Sequence, residues 1–143
     1  MAKREDWLEK LYDEIKKYQE SEFKWGKFDC CMFTADCIRA MTDIDYGASF
    51  RGKYRSKGGA FKQLLKQTGT DDLDQAISII MKGIKGIKRI DPAFMQKGDL
   101  AIVKLPEVGN SFGVVMNGAV LFPNENGGLY KIKITPTKVW RID

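Results

Sequence analysis

The sequence contains no histidine. That removes the side chain whose ordinary pKa lies nearest neutrality, and with it a frequent general base and zinc ligand. Cysteines are few: Cys30, Cys31 and Cys37. An odd, small number does not build a disulfide framework. All three fall inside one predicted helix, at a spacing that matches no common zinc pattern, so no metal or cofactor is expected. Long apolar runs are also missing. None approaches the roughly 20 residues that span a bilayer. The start, Met1-Ala2-Lys3-Arg4-Glu5-Asp6, is charged and lacks the apolar stretch of a signal peptide. Synthesis in the cytoplasm is expected, with any exit inside a larger particle.

What is present suits one globular domain over residues 1–143. The chain is 43% hydrophobic, 30% charged and 11% aromatic, which is enough to pack a core. The net charge is +5. The densest basic stretch is Lys82-Gly83-Ile84-Lys85-Gly86-Ile87-Lys88-Arg89. Its alternation suits an exposed loop or an edge strand, where lysine blocks edge pairing. No zinc-finger, helix-turn-helix or RNA-binding pattern accompanies it, so specific nucleic-acid binding is not expected. Lysine that keeps the surface soluble explains the charge.

Periodicity divides the chain in two. Trp7, Leu8, Leu11, Tyr12, Ile15 and Tyr18 recur at helical spacing and predict a helix from about Arg4 to Tyr18. Asp29 is a good N-cap for a second helix, in which Cys30, Phe33, Thr34, Cys37, Ile38 and Met41 share a face. A loop from Thr42 to Tyr54 precedes a third helix, from about Ser56 to Gln67. Asp71 or Asp72 caps a fourth, through Met81. After Pro92 the period shortens. Gly98–Leu105, Phe112–Met116, Ala119–Phe122, Leu129–Ile134 and Val139–Ile142 read as strands, with turn signals at Asn117-Gly118 and Asn126-Gly127-Gly128. Helices followed by a strand meander imply an α+β fold.

Cys30 is the candidate for chemistry. It follows a cap residue in the first turn of a helix, where unpaired N–H groups and the helix dipole favour a thiolate. Asp29 opposes this by its charge. The bland alternative is a small buried thiol, the reading preferred for Cys37.

The residues around Cys30 carry a resemblance. Trp25-Gly26 followed by Phe28-Asp29-Cys30-Cys31-Met32-Phe33 resembles the nucleophile segment of NlpC-type cell-wall peptidases. Gly98-Asp99-Leu100-Ala101-Ile102-Val103 is similar to the first barrel strand of that superfamily. Ser111-Phe112-Gly113-Val114-Val115 resembles the segment that carries its base. The resemblance implies a papain-like fold, with N-terminal helices packed on a C-terminal antiparallel meander or half-barrel. A closer resemblance is to a family encoded by tailed phages and prophages. Its members share Phe-Arg-Gly-x-Tyr, here Phe50 to Tyr54, and Trp-Arg-Ile, here Trp140 to Ile142.

The departure from active enzymes is specific. Their histidine aligns with Ser111, or with Phe112 if the register slips by one. Their orienting polar residue aligns near Leu121 or Phe122. A thiolate can attack without a base, but a leaving amine needs a proton. Asp29, Asp99 and Glu125 are the acids to consider, and no motif places any of them. The resemblance therefore implies a tail-tip or tail-assembly component of the virion, with a degenerate peptidase-like site at Cys30 and Ser111. Its partners would be other tail proteins, or peptidoglycan peptides in the groove. Contacts are assigned to Trp25, Asp29, Phe50, Arg51 and Tyr54. Arg51 is equally suited to a local salt bridge. The alternative is an active thiol hydrolase that cuts peptidoglycan peptides with a non-histidine base.

Overall fold

The computed structural model describes residues 2–143. Four helices come first: α1 (Trp7–Tyr18), α2 (Cys30–Thr42), α3 (Lys57–Thr68) and α4 (Leu73–Lys82). Six strands follow: β1 (Ile87–Ile90), β2 (Leu100–Leu105), β3 (Gly109–Met116), β4 (Ala119–Pro123), β5 (Leu129–Ile132) and β6 (Lys138–Ile142). A 3-10 turn at Pro92–Phe94 joins β1 to β2. The α+β segregation expected from the two periods is what forms.

The strands make one open antiparallel sheet, in the order β1-β6-β2-β3-β4-β5. The meander β2 to β5 was legible in the sequence. The return of β6 between β1 and β2 was not. The basic stretch ends as edge strand β1, so Lys88 and Arg89 sit where they discourage further pairing, while Lys82 ends α4 and Lys85 lies in the turn between.

Caps set the helix starts. Asp29, Ser56 and Asp72 each accept a backbone N–H from the first turn of their helix. The α1 helix starts at Trp7 rather than Arg4. The Lys3 N–H is drawn to the Asp143 carbonyl and the Arg4 N–H to the Met41 carbonyl, which holds this strap outside the helix. The Arg4 side chain pairs with Asp6 and Asp43.

Alternation along the strands gives the sheet two apolar faces. Leu100, Ile102, Val114, Leu121, Trp140 and Ile142 join the cluster shared with the helices. Ala101, Val103, Val115, Val120, Phe122 and Val139 form a second cluster. The α2 helix is buried around most of its circumference and lies across β3 and β4. Cys30, at its start, packs against both clusters. Among the described residues, no helix is long and apolar enough to cross a membrane.

Candidate functional site

Cys30 opens α2 because Asp29 organises the chain before it. One Asp29 oxygen accepts the Met32 N–H at 3.0 Å and caps the helix. The other accepts the Gly26 N–H at 2.8 Å and the Tyr54 hydroxyl at 2.6 Å. Asp29 is only 2% exposed, so these three donors replace water around its charge. Gly26 has φ +83°, and a Cβ there would lie 2.2 Å from the Tyr54 carbonyl oxygen. The Trp25-Gly26 turn and the Tyr54 segment are thus closed against one another. The Gly52 N–H adds a bond to the Gly26 carbonyl at 2.9 Å.

The Phe-Arg-Gly-x-Tyr element is explained by the same contacts. Phe50 packs beside the main core. The Arg51 guanidinium meets the buried Asp36 at 2.7 Å and Asp45 at 3.0 Å. Asp36 also accepts the Tyr18 hydroxyl at 2.6 Å. Arg51 was read as either a partner contact or a local salt bridge, and its fork is filled from within the chain. Tyr54 likewise spends its hydroxyl on Asp29. Trp25 is half-buried on the groove wall, edge-on to Phe23 with ring centroids 4.9 Å apart.

The groove has a volume of about 360 Å³, within the range of small-ligand sites. Cys30, Cys31, Ser111, Phe112 and Phe122 all line it. Ser111 pairs with Val103 and is buried, so it shares a face with the second cluster and with Phe122. Phe112 points to the other face, where its ring meets Trp140 edge-on at 6.2 Å. Cys30, Ser111 and Phe122 thus line one groove, while Leu121, the other position considered with Phe122, belongs to the helix-side core.

The Cys30 thiol titrates below its ordinary value. Hydrogen bonding from the Cys31 thiol is the main cause, and the N–H groups of Phe112 and Cys31 add to it. Burial and the Asp29 carboxylate push the other way. The partner thiol pays the opposite shift: its bond to Cys30 and burial drive Cys31 well up. Burial also drives Cys37 well up, as suits an inert core thiol. Of the three sulfurs, Cys30 ionises first.

The chain belongs to the family described as a domain of unknown function, DUF6950, which matches residues 2–142. No curated protein matches it. In this DUF6950 chain, the three acids considered from sequence have separate fates. Asp29 is held by its three donors. Asp99 is 1% exposed and bound to Arg141 at 2.9 and 3.0 Å, far along the sheet from any free role. Glu125 lies on the groove rim.

Sequence reasoning missed Cys31 as a modifier of Cys30 and missed the polar rim of Glu107, Asn110, Asn124 and Asn126. The vicinal Cys30-Cys31 pair was a visible signal for the first. The rim comes from the β2–β3 hairpin, with Asn110 on β3 itself, and from the turn after β4, and only strand register brings these together.

Proposed function

We propose that this DUF6950 domain is a papain-like, NlpC-type scaffold that serves as a tail-tip or tail-assembly component of a phage virion. Its peptidase-like groove binds a partner without cutting amide bonds. The observation that carries the reading is the trio Cys30, Ser111 and Phe122. All three line the groove; by the resemblance, Cys30 aligns with the nucleophile, Ser111 or Phe112 with the base, and Leu121 or Phe122 with its orienting residue. Imidazole normally takes one proton and returns it to the leaving amine, and general acid–base help of this kind is typically worth about 10²–10⁴-fold. A fold keeps its shape after such a loss, and its groove remains available for binding. The virion location rests on the family resemblance described above.

Two experiments test this. Proteomics of purified particles should find the chain at low copy, and imaging should place it at the distal tail. Absence from particles would remove the structural role. Purified protein should leave wall muropeptides intact.

One observation favours a second reading, an active thiol hydrolase. The Cys30 pKa is lowered by Cys31 and by the Phe112 N–H. In that case muropeptide cleavage would be seen and lost in Cys30→Ala, and Glu125→Gln would show whether the rim carboxylate supplies the proton.

A further inference from the structure

The walls of the groove around Cys30 fall into two sets. One is polar: Glu107, Asn110 and Ser111 from the β2–β3 side, and Asn124, Glu125 and Asn126 from the β4–β5 side. The other is a crevice between helices, lined by Ala35 and Ile38 of α2, Phe61 and Leu64 of α3, and Ile77 and Ile80 of α4. Lys57, one turn before Phe61 on the same α3 face, brings one charged side chain to the mouth of this otherwise apolar group. The α3 helix explains the crevice. Leu64 is its one buried residue, and Phe61 lies only partly buried against the core. Ala35, Ile38, Leu64 and Ile77 form the buried floor of the crevice, and the half-buried Phe61 and Ile80 form its open edge. Cys30 stands where the two sets meet, with Cys31 beside it. The shape suits an amphiphile whose tail lies among the helices and whose polar head lies against the asparagines.

The chemistry at Cys30 narrows the class. Attack on an amide expels an amine that must be protonated, and the site holds no histidine to do so. A thioester differs because its leaving group is a thiolate, which departs without an acid and has a pKa close to that of the attacking thiol.

We propose that Cys30 is an acyl-acceptor site for long-chain acyl thioesters. The Cys30 thiolate attacks the acyl carbonyl, the carbon–sulfur bond to the departing thiol breaks, and a new thioester forms at Cys30. The departing thiolate takes a proton from water, so one thioester replaces another and no oxidant or reductant is consumed. The acyl chain lies in the α2–α3–α4 crevice. This goes beyond the scaffold reading and is independent of it, since particle location and thiol acylation are read in separate experiments.

The test uses the full chain with three probes: the dodecanoyl thioester of N-acetylcysteamine, the acetyl thioester of the same thiol, and the matching dodecanoyl amide. Intact mass and peptide mapping follow the adduct. One dodecanoyl group should appear on Cys30, be removed by neutral hydroxylamine, and be absent in both Cys30→Ala and Cys30→Ser. Each buried methylene is worth about 0.8 kcal/mol, so the long chain should react at least about tenfold faster than acetyl. Ala60→Trp, which fills the crevice from a half-buried α3 position, should abolish that advantage. Thermal melts of each variant separate loss of the site from loss of the fold. Failure of any thioester to label Cys30 would overturn the proposal. So would equal rates for the two chain lengths, or turnover of the amide.

Discussion

The Tyr54 hydroxyl donates to the Asp29 carboxylate across 25 residues of chain, at 2.6 Å and out of contact with water. This bond locks the end of the aromatic loop onto the residue that starts the central helix. A buried hydrogen bond to a charged group is worth about 1.5–3 kcal/mol, and its loss leaves an acceptor short of a donor. Tyr54→Phe keeps the ring and removes only the bond. Urea unfolding should show a loss of about that size with an unchanged m-value. An unmoved midpoint would mean that water replaces the hydroxyl.

Two glycines with similar backbones should behave differently. Gly26 and Gly52 have φ of +83° and +73°. Alanine at either carries the left-handed penalty of about 1–2 kcal/mol. A Cβ at Gly52 meets nothing within 4 Å, whereas one at Gly26 lies 2.2 Å from a backbone oxygen. Gly52→Ala should therefore cost about the penalty alone. Gly26→Ala should cost clearly more and disturb the Trp25 turn, read as a change in tryptophan fluorescence. Equal costs would show that the Tyr54 segment yields easily.

At the other end of the molecule, Arg141 neutralises the buried Asp99 with two bonds. Removing the cation leaves the buried Asp99 carboxylate with the Gln96 N–H at 2.7 Å, at a cost of up to about 3–5 kcal/mol. Arg141→Met should show a loss of that order in chemical denaturation. Asp99→Asn added to it should recover part of the loss, because the remaining group is neutral. If the double variant is no better than the single one, packing rather than charge holds this corner.

These pairs also show what the sequence could reveal. Helical periodicity, the caps at Asp29 and at Asp71 or Asp72, and strand alternation are local signals, and they located the four α-helices, with the start of α1 three residues early, and the β2–β5 meander. The Trp-Arg-Ile ending was visible as a motif, but its reason was not. Trp140 is a core residue that meets Phe112, and Arg141 serves Asp99, 42 positions earlier. Nothing local in the chain announces a pairing at that separation. The same holds for β6, whose place between β1 and β2 depends on which edge is free once the meander has formed. In the site, motifs mark Cys30 and Ser111, and both line the groove. The groove rim was not legible, because it is assembled from the β2–β3 hairpin and the turn after β4, joined only by register.

Alkaline pH should weaken the fold through the buried thiols. Burial raises the pKa of Cys37, so the folded state keeps a proton that the unfolded chain loses above about pH 8.5. The stabilising effect is complete below that value and declines as pH rises beyond it. One such group gives a slope of about 1.4 kcal/mol per pH unit. Urea midpoints measured from pH 8 to 10 should fall, and Cys37→Ala should flatten the fall even though it lowers the starting stability. A slope unchanged by Cys37→Ala would assign the loss to other groups.

Cys30 should behave oppositely to its neighbours. Its lowered pKa means that thiolate is present at a pH where a free cysteine is mostly protonated. Iodoacetamide labelling should therefore rise with pH to a midpoint below the ordinary value of about 8.5, and be confined to Cys30 near neutrality. Cys31, pushed well up, and Cys37, buried in the core, should stay unlabelled there. Because the Cys31 thiol is the largest cause of the Cys30 shift, Cys31→Ala should move the labelling midpoint upward. Phe112 supplies its backbone N–H and not its ring, so Phe112→Leu should leave the midpoint in place. If Cys31→Ala has no effect, the N–H groups at the helix start and on β3 are enough to set the acidity of Cys30.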